Sequence, residues 1–312
     1  MAEDDQVRMK RLSLEHYARL MRLCRLVLTI SVVPLLPGCA VFSRGFLAPG
    51  GPVAAAERHE FFFVFAVMLL VIGPVLLLTP LIAWHYRLSN TKSAFRPNWA
   101  FSWYLEGLIW IPPTIIVIVL AFFLVGNSVR LDPYRRVMPS LAPLQIQAVA
   151  LDWKWLFIYP DQHIASVNQL ILPVGTPVHF SLTSGTVMQS LLMPRLAGQI
   201  YAMSGMTTQL NVLISDAGTY WGENVQYNGD GFKNEKFQVL GVRPDDFSRW
   251  VKSVQNTRTV FDDKAYHDLS RQSVLPHPIA FGAVDPGIFT KIVKHAIEPG
   301  YVSQHQEAQP HG

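Results

Sequence analysis

The side chains that could hold a metal ion or carry redox chemistry are few in this chain. It has two cysteines, Cys24 and Cys39, and ten histidines with no pair at the spacing of metal ligands. Copper that cycles between oxidation states needs soft thiolate and imidazole donors. If a leader is cleaved before Cys39, one cysteine remains. A thiolate copper site, a cysteine-based zinc site and a disulfide framework are then all excluded.

Other chemistry is equally sparse. There is no nucleophile elbow, no phosphate-binding loop and no paired-carboxylate site in the sequence. The net charge of +4 is modest, and no Lys/Arg run is dense enough to indicate nucleic-acid binding. Half of the residues are hydrophobic and only 15% are charged. This composition, with the apolar excess in the first 126 residues, predicts a membrane protein with a soluble attachment.

The N-terminus has the pattern of an export signal. Arg22 and Arg25 precede the uncharged run Leu26–Leu36, which is too short to span a bilayer and typical of a signal sequence. The run ends in Leu-Pro-Gly-Cys39, which resembles a bacterial lipoprotein box. We expect residues 1–38 to be a signal peptide and residues 39–60 a lipidated outer segment. Cys39 would carry a diacylglyceryl group on sulfur and an acyl chain such as palmitate on the new amino group.

Two points about this leader stay open. One alternative is a plain signal peptide in which Cys39 is incidental. The acidic residues Glu3, Asp4 and Asp5 are also wrong for the positive start of a signal sequence. Translation starting at Met21, or at Met9, would remove them.

Two long apolar runs predict a transmembrane hairpin over residues 61–126. Phe61–Trp84 and Gly107–Val125 carry no charge over 24 and 19 residues, and about 20 residues suffice to cross the hydrocarbon core. The loop between them holds Arg87, Lys92 and Arg96, which the positive-inside rule places in the cytoplasm. Both outer flanks then face the periplasm, in agreement with the export signal.

The sequence pattern changes after the second span. Val178, Phe180 and Leu182 alternate with polar residues, and similar runs are separated by Pro/Gly turns, which predicts an all-β domain over residues 127–244. A helical arm over 245–297 is predicted next, with helices at Asp245–Gln255, Val260–Ser270 and Pro286–Ile297. Residues 298–312 are predicted to be disordered.

The order of lipoprotein signal, membrane hairpin and β-domain resembles subunit II of the bacterial cytochrome bo-type ubiquinol oxidases. The most specific segments are Asp152–Pro160, Val187–Met206 and residues 222–232. The resemblance implies a cupredoxin-like greek-key domain in the periplasm and a complex that oxidises ubiquinol, reduces oxygen to water and pumps protons. Subunit I would hold the hemes, the copper and the ubiquinol site. Subunits III and IV and membrane lipids would be further partners.

The resemblance also gives meaning to residues 222–237. In the second subunits of cytochrome c oxidases, this loop carries a copper site with the pattern Cys-x3-Cys-x3-His-x2-Met and one His upstream. On that spacing the present chain has Asn224, Asn228, Phe232 and Glu235, with Gln189 upstream. We therefore expect vestigial ligand positions, no redox metal in this chain and no docking of cytochrome c. A cytochrome c oxidase subunit with displaced copper ligands fails on the thiol count.

Three further residues are singled out by the resemblance. Glu106, at the start of the second span, would lie near the entrance of a proton channel into subunit I, or be an interfacial carboxylate that snorkels. Trp153 and Trp155, placed on one face of a strand, are expected to pack against subunit I. In copper-bearing relatives such aromatics lie on an electron path. Asp152 and Lys154, on the other face, are expected to be an exposed pair.

The leading functional hypothesis is a non-catalytic subunit that supports assembly and stability of subunit I, and proton uptake through Glu106. The alternative is a stand-alone membrane-anchored lipoprotein with a cupredoxin-like binding domain. Co-purification with a heme-bearing subunit distinguishes the two.

Overall fold

The computed structural model describes residues 45–87, 89–90 and 98–295. The predictions about the signal peptide, the start codon, lipidation of Cys39 and the tail 298–312 therefore lie outside the described residues. So do Lys92 and Arg96 of the loop between the spans.

The two apolar runs form two long helices, α1 (Pro52–His85) and α2 (Trp103–Arg130). Both are long and apolar enough to cross a membrane, and neither buries its apolar stretch inside the chain. At 1.5 Å per residue they are about 51 and 42 Å long, so each extends beyond a hydrocarbon core of about 30 Å. Each contains two prolines in its interior, and the hydroxyls of Thr79 and Thr114 donate to carbonyl oxygens four residues back.

The two helices contact each other at the end nearer the β-domain. The rings of Phe63 and Phe123 lie 4.1 Å apart between centroids. Next to them, Asn127 Nδ2 donates to Glu60 Oε2 at 2.6 Å, and Arg130 lies 3.8 Å from the other oxygen of the same carboxylate. The pairing of Glu60 therefore fixes the hairpin at its outer end.

The soluble part is a β-sandwich, as the alternation predicted. One sheet has six strands and the other has five. In spatial order, the first holds residues 279–281, 164–167, 154–159, 144–151, 177–184 and 208–213, and the second holds residues 169–173, 236–242, 218–224, 189–193 and 197–202. Val178, Phe180 and Leu182 are buried, which confirms their predicted inward face. The ten strands before the arm are β1 (Leu144–Leu151), β2 (Lys154–Tyr159), β3 (Ile164–Val167), β4 (Gln169–Pro173), β5 (Pro177–Ser184), β6 (Gln189–Met193), β7 (Ala197–Ala202), β8 (Thr208–Leu213), β9 (Gly218–Asn224) and β10 (Lys236–Val242).

The C-terminal arm is mixed rather than helical throughout. It contains α3 (Pro244–Gln255), α4 (Asp263–Ser270) and α5 (Ile288–His295), with short strands β11 (Val260–Phe261), β12 (Ile279–Phe281) and β13 (Ala283–Val284). The prediction of helix from Val260 was wrong at its start. Residues 260–261 pair with β13 instead. The helix begins at Asp263, and the preceding residue, Asp262, caps it: its Oδ1 accepts a hydrogen bond from the Ala265 amide at 2.8 Å.

The arm covers the outer face of the larger sheet. Strand β12 pairs with β3 and becomes the edge of that sheet. Leu156 and Ile158 of β2 then pack with Leu269, Ile288 and Phe289 of the arm. The opposite face of β2 faces the centre of the sandwich. Strand β2 is consequently buried on both faces, which explains its nearly unbroken apolar sequence.

Both ends of the hairpin are hydrogen-bonded to the sandwich. Before α1, the Gly50 amide donates to the Arg195 carbonyl at 2.7 Å and its carbonyl accepts from Ser215 at 2.8 Å. A Cβ at Gly51 would overlap the Leu213 carbonyl, so only glycine permits this approach. After α2, the Pro133 carbonyl accepts from the amide and the side chain of Asn211, both at 3.0 Å.

Candidate functional site

The residues at the vestigial ligand positions come from two neighbouring strands and the loop after them. Gln189 begins β6, and Asn224 ends β9 opposite Leu191 of β6. The loop 225–235 then returns to β10. Asn224 Oδ1 accepts from the amides of Ser190 and Gln226, at 3.0 and 2.9 Å. The amide side chain thereby closes the end of the strand pair.

Glu235 is the centre of this group. Its Oε2 accepts from Asn228 Nδ2 at 2.7 Å and from Asn224 Nδ2 at 3.1 Å. The Glu235 carbonyl also accepts from the Asn224 amide at 3.1 Å. Three of the five predicted positions are thus joined by hydrogen bonds, and all three side chains are buried. We call Asn224, Asn228, Glu235, Asp152 and Lys154 the polar cluster.

The other two predicted positions lie beside these hydrogen bonds. Gln189 is fully buried, and its Nε2 donates to the Leu151 carbonyl at 3.1 Å and to Thr186 Oγ1 at 3.2 Å. Phe232 is half-buried and packs edge-on against Tyr227, with centroids 5.7 Å apart. Gln189 therefore extends the buried polar region, while Phe232 contributes an aromatic contact to the loop.

The expectation of an exposed Asp152–Lys154 pair is wrong. Asp152 is 4% exposed and Lys154 is fully buried. Lys154 Nζ donates to the Arg271 carbonyl at 2.7 Å and to Ser273 Oγ at 2.8 Å, so the lysine fastens the arm to the domain. The arm covers the face of β2 that the alternation of side chains predicted to be exposed to solvent. A lysine within the otherwise apolar run after Trp153 was the available signal for a buried, partnered cation.

Burial shifts the pKa values of Glu235 and Lys154. It raises the pKa of Glu235 to about 8, against the opposing effect of hydrogen bonds from Asn228 and Asn224. Burial lowers the pKa of Lys154 to about 8, although the Asp152 and Glu235 carboxylates favour its charged form. Desolvation outweighs these attractions in both cases.

The two tryptophans do not share a strand face. Trp153 lies in the turn between β1 and β2 with φ 67°, a left-handed conformation that breaks the alternation. Its indole N–H donates to the Asn228 carbonyl at 3.3 Å, and its ring lies against Gly231, where a Cβ would clash. Trp155 is fully buried beside Phe157 and Phe237. It therefore has no exposed surface to offer a partner.

The donor set of the polar cluster does not fit redox copper. It offers amide and carboxylate oxygens, which are hard ligands, and it includes a buried lysine that opposes a bound cation. Within the part of the chain that the structure describes, no group of three or more His, Cys, Asp or Glu residues is placed to hold a metal. Among the described residues, Glu235 Oε1 and Asn228 Oδ1 are buried without a hydrogen-bond partner.

Glu106 lies far from this cluster, at the opposite end of the hairpin. It is in the first turn of α2, where a carboxylate is favoured by the helix dipole. Its Oε2 accepts from the indole N–H of Trp110 at 3.1 Å. The side chain is half-exposed, on a helix with no buried residue among those that the structure describes.

Comparison with known proteins identifies relatives over most of this chain. The family model of the cytochrome c oxidase subunit II periplasmic domain matches residues 160–232. The chain is 42% identical over 266 residues to ubiquinol oxidase subunit 2 of Acetobacter aceti, with 85% of each chain covered. It is 40% identical over 260 residues to cytochrome bo(3) ubiquinol oxidase subunit 2 of Pseudomonas putida, covering 83% of this chain and 82% of that one. Among solved structures, the periplasmic domain of cytochrome oxidase subunit II from Bradyrhizobium japonicum is 21% identical, with a TM-score of 0.35 over 37% of this chain and 96% of that one.

Proposed function

The chain belongs to the family of subunit 2 of ubiquinol oxidases, and from this we propose that it works within a quinol-oxidising, oxygen-reducing, proton-pumping complex without itself holding a redox metal. The family assignment confirms the resemblance and the fold class predicted from the sequence, and it favours the oxidase subunit over the stand-alone lipoprotein. One observation carries the metal-free role: amide and carboxyl groups that hydrogen-bond to one another stand at the copper-ligand positions.

This network is suited to holding structure rather than passing electrons. Lys154 joins the network region to the arm at residues 271 and 273, and Trp153 joins the turn before β2 to the loop at Asn228. Quinol delivers its electrons from within the membrane, so a relay through the β-domain is unnecessary. The hemes, the copper and the quinol site would then belong to subunit I, and the domain would need to keep only its shape.

The hairpin supplies the surface for assembly. The apolar side chains of α1 and α2 are exposed along both helices, including Leu70, Leu77 and Phe122. A membrane subunit packs such faces against lipid or other helices. We propose subunit I as the main partner, with subunits III and IV as further members of the complex. Lipidation at Cys39 would add an anchor on the periplasmic side.

Purification through this chain in a mild detergent tests the proposal. We expect a complex with two hemes and one copper that takes up oxygen with ubiquinol and not with cytochrome c. A colourless chain from cells that make the oxidase would contradict it. Copper that stays bound to the isolated chain after dialysis would contradict the metal-free role alone.

Glu106 is proposed as a proton-uptake residue at the inner end of α2. Glu106→Gln keeps the size and the acceptor for the Trp110 indole but removes the titrating group. We expect oxygen turnover of the assembled enzyme to fall, with a changed pH profile. The matched control is Asp230→Asn, an exposed carboxylate of the β-domain. Unchanged turnover and an unchanged pH profile would contradict proton uptake by Glu106 and would favour the alternative, an interfacial carboxylate that snorkels to the membrane surface.

A further inference from the structure

A cleft of about 490 Å³ lies at the foot of the hairpin, away from the polar cluster. Its walls are the first turns of α1, the segment 131–139 after α2, and strands β7 and β8. Arg130, Arg135 and Arg136 line it, together with apolar residues such as Val53 and Leu210. We call it the basic cleft. It thus combines three guanidinium groups with an apolar surface.

The arginines of the basic cleft are available for a ligand. Arg135 and Arg136 are exposed and form no ion pair with any residue that the structure describes. Arg130 forms a long ion pair with Glu60 at 3.8 Å, which leaves N–H donors of its guanidinium group for a second oxygen. Each guanidinium carries five N–H donors and no acceptor, in a fork that matches the oxygens of a phosphate.

The two carboxylates in the basic cleft already have partners. Glu57 accepts a hydrogen bond from the backbone of Gly198. The carboxylate of Asp132 accepts from the Tyr134 amide at 2.9 Å. Both carboxylates are therefore hydrogen-bonded to backbone groups of the same chain. Three guanidinium groups face these two carboxylates in the cleft lining, so the net charge of the cleft is positive.

The basic cleft is shaped before any ligand arrives. The Pro133 carbonyl is held by two hydrogen bonds from Asn211 of β8, which fixes the segment that carries Arg135 and Arg136. On the other wall, Gly50 is hydrogen-bonded to residues 195 and 215 where α1 begins. A preformed site loses less conformational entropy on binding.

The position along the helix sets the depth of the basic cleft in the membrane. The continuous apolar run of α2 ends at Val125, before the polar residues Asn127 and Ser128, and Arg130 follows five residues later, about 7.5 Å further along the axis. The headgroup region of each leaflet is about 5–8 Å thick. Arg130 thus lies at the level of lipid phosphates, and the exposed apolar faces of α1 and α2 extend from there into the hydrocarbon.

We propose that the basic cleft binds the phosphate of an anionic phospholipid in the leaflet on the side of the β-domain. The guanidinium groups contact the phosphate oxygens, and the acyl chains lie along the exposed apolar surface of the hairpin. A charge-assisted, bidentate contact of this kind is the strongest that arginine makes with phosphate. The site is independent of quinol oxidation and of the vestigial copper positions.

Lipid titration followed by native mass spectrometry tests the proposal. The complex that contains the full chain is stripped of lipid and titrated separately with phosphatidylglycerol, phosphatidylcholine and inorganic phosphate. We expect phosphatidylglycerol to bind, and the double variant Arg135→Gln/Arg136→Gln to bind it about tenfold more weakly. The matched control is Arg243→Gln/Arg249→Gln, which removes two exposed arginines that pair with Asp246 instead.

The double variant Arg135→Lys/Arg136→Lys separates loss of charge from loss of shape. It keeps both charges, and we expect it to bind better than the Gln variant and worse than the unaltered chain. Equal binding of phosphatidylglycerol by the Gln variant and the unaltered chain would overturn the proposal. So would displacement of the lipid by millimolar inorganic phosphate, which would assign the cleft to a free anion. Protection of residues 130–136 by another subunit in lipid-free complex, measured by hydrogen exchange, would assign it to a protein partner.

Discussion

The polar cluster and the basic cleft both contain charged side chains, but the charges are buried in the first and exposed in the second. In the polar cluster, Glu235 and Lys154 are buried and bonded to residues of the same chain. In the basic cleft, Arg135 and Arg136 are exposed, with no ion-pair partner among the described residues. Buried polar groups with internal partners specify one packed structure. Exposed cations held on a fixed segment remain available for a ligand.

This difference suggests how a metal-binding loop is kept after its metal is no longer needed. The amide groups of Asn224 and Asn228 provide cross-links between β9, β6 and the returning loop. A copper centre would tie the same elements together through its ligands. Hydrogen bonds to a carboxyl group therefore keep the loop in place where coordination bonds would otherwise do so.

The largest effect is expected from Lys154→Met. The substitution keeps much of the volume but removes two donors to the arm and the cation beside Asp152 and Glu235. Breaking a buried charged arrangement by removing one partner costs about 3–5 kcal/mol. Chemical unfolding of the full chain in detergent, followed by tryptophan fluorescence, measures this loss. The matched control Lys236→Met breaks only the exposed ion pair with Glu223, at 3.0 Å, and should cost less than about 1 kcal/mol. Equal losses of unfolding free energy in the two variants would show that the buried contacts of Lys154 with the arm do not stabilise the fold.

Asn224→Ala should have the next largest effect. It removes two acceptor and two donor contacts, to Ser190, Gln226 and Glu235. Leaving a buried polar partner unsatisfied costs about 1–3 kcal/mol, so we expect a loss of about 2–3 kcal/mol in the same unfolding experiment. Asn256→Ala, at the exposed end of α3, is the control and should be nearly neutral. A loss below about 0.5 kcal/mol for Asn224→Ala would mean that solvent replaces these contacts.

Glu235→Gln should cost about 1 kcal/mol at pH 6, because burial keeps the Glu235 carboxyl protonated there and glutamine resembles the neutral acid. Its pH dependence is more diagnostic. The pKa of Glu235 is raised from 4.5 to about 8, so the folded chain holds a proton that the unfolded chain releases. Its stabilising contribution is complete below pH 4.5 and is lost as the pH rises through 8.

Unfolding free energies between pH 5 and 7.5 measure this slope, in a range below the titration of Lys154. We expect the stability of the unaltered chain to fall with rising pH and that of Glu235→Gln to fall less. Asp230→Asn, an exposed acid in the same loop, is the control and should keep the slope. Parallel curves for Glu235→Gln and the unaltered chain would show that Glu235 is ionised throughout.

Much of the fold is predictable from the sequence because it rests on local patterns. The uncharged runs give α1 and α2, and alternation at Val178, Phe180 and Leu182 gives the inward face of β5. The predictions that were wrong concern residues whose contacts are with distant parts of the sequence. The alternation rule placed Lys154 in solvent, because nothing near it in the sequence shows that residues 271 and 273 return to cover it. Trp153 left the strand pattern through a left-handed turn closed by Asn228, 75 residues later.

The candidate sites follow the same division. The family resemblance identified Asn224, Asn228 and Glu235 as one group, and the structure brings them together. The basic cleft has no comparable motif, because its walls come from three separated parts of the chain. Arg130, Arg135 and Arg136 were visible beyond the second span. Arg135 and Arg136 line the cleft on a segment that is held by hydrogen bonds from Asn211 of β8 to the Pro133 carbonyl, a contact between distant parts of the sequence.

The smallest effect on stability is expected from Arg135→Gln/Arg136→Gln. Exposed residues without partners typically change the free energy of unfolding by less than about 0.5 kcal/mol. The same unfolding experiment, in detergent without added lipid, measures it. Removing like charges from one segment could even stabilise the chain slightly. With phosphatidylglycerol present, the unaltered chain should gain stability because the lipid binds the folded state, and the double variant should gain less. A loss above about 2 kcal/mol without lipid would place these arginines with the polar cluster, as groups that hold the fold, and would remove the contrast between the two regions.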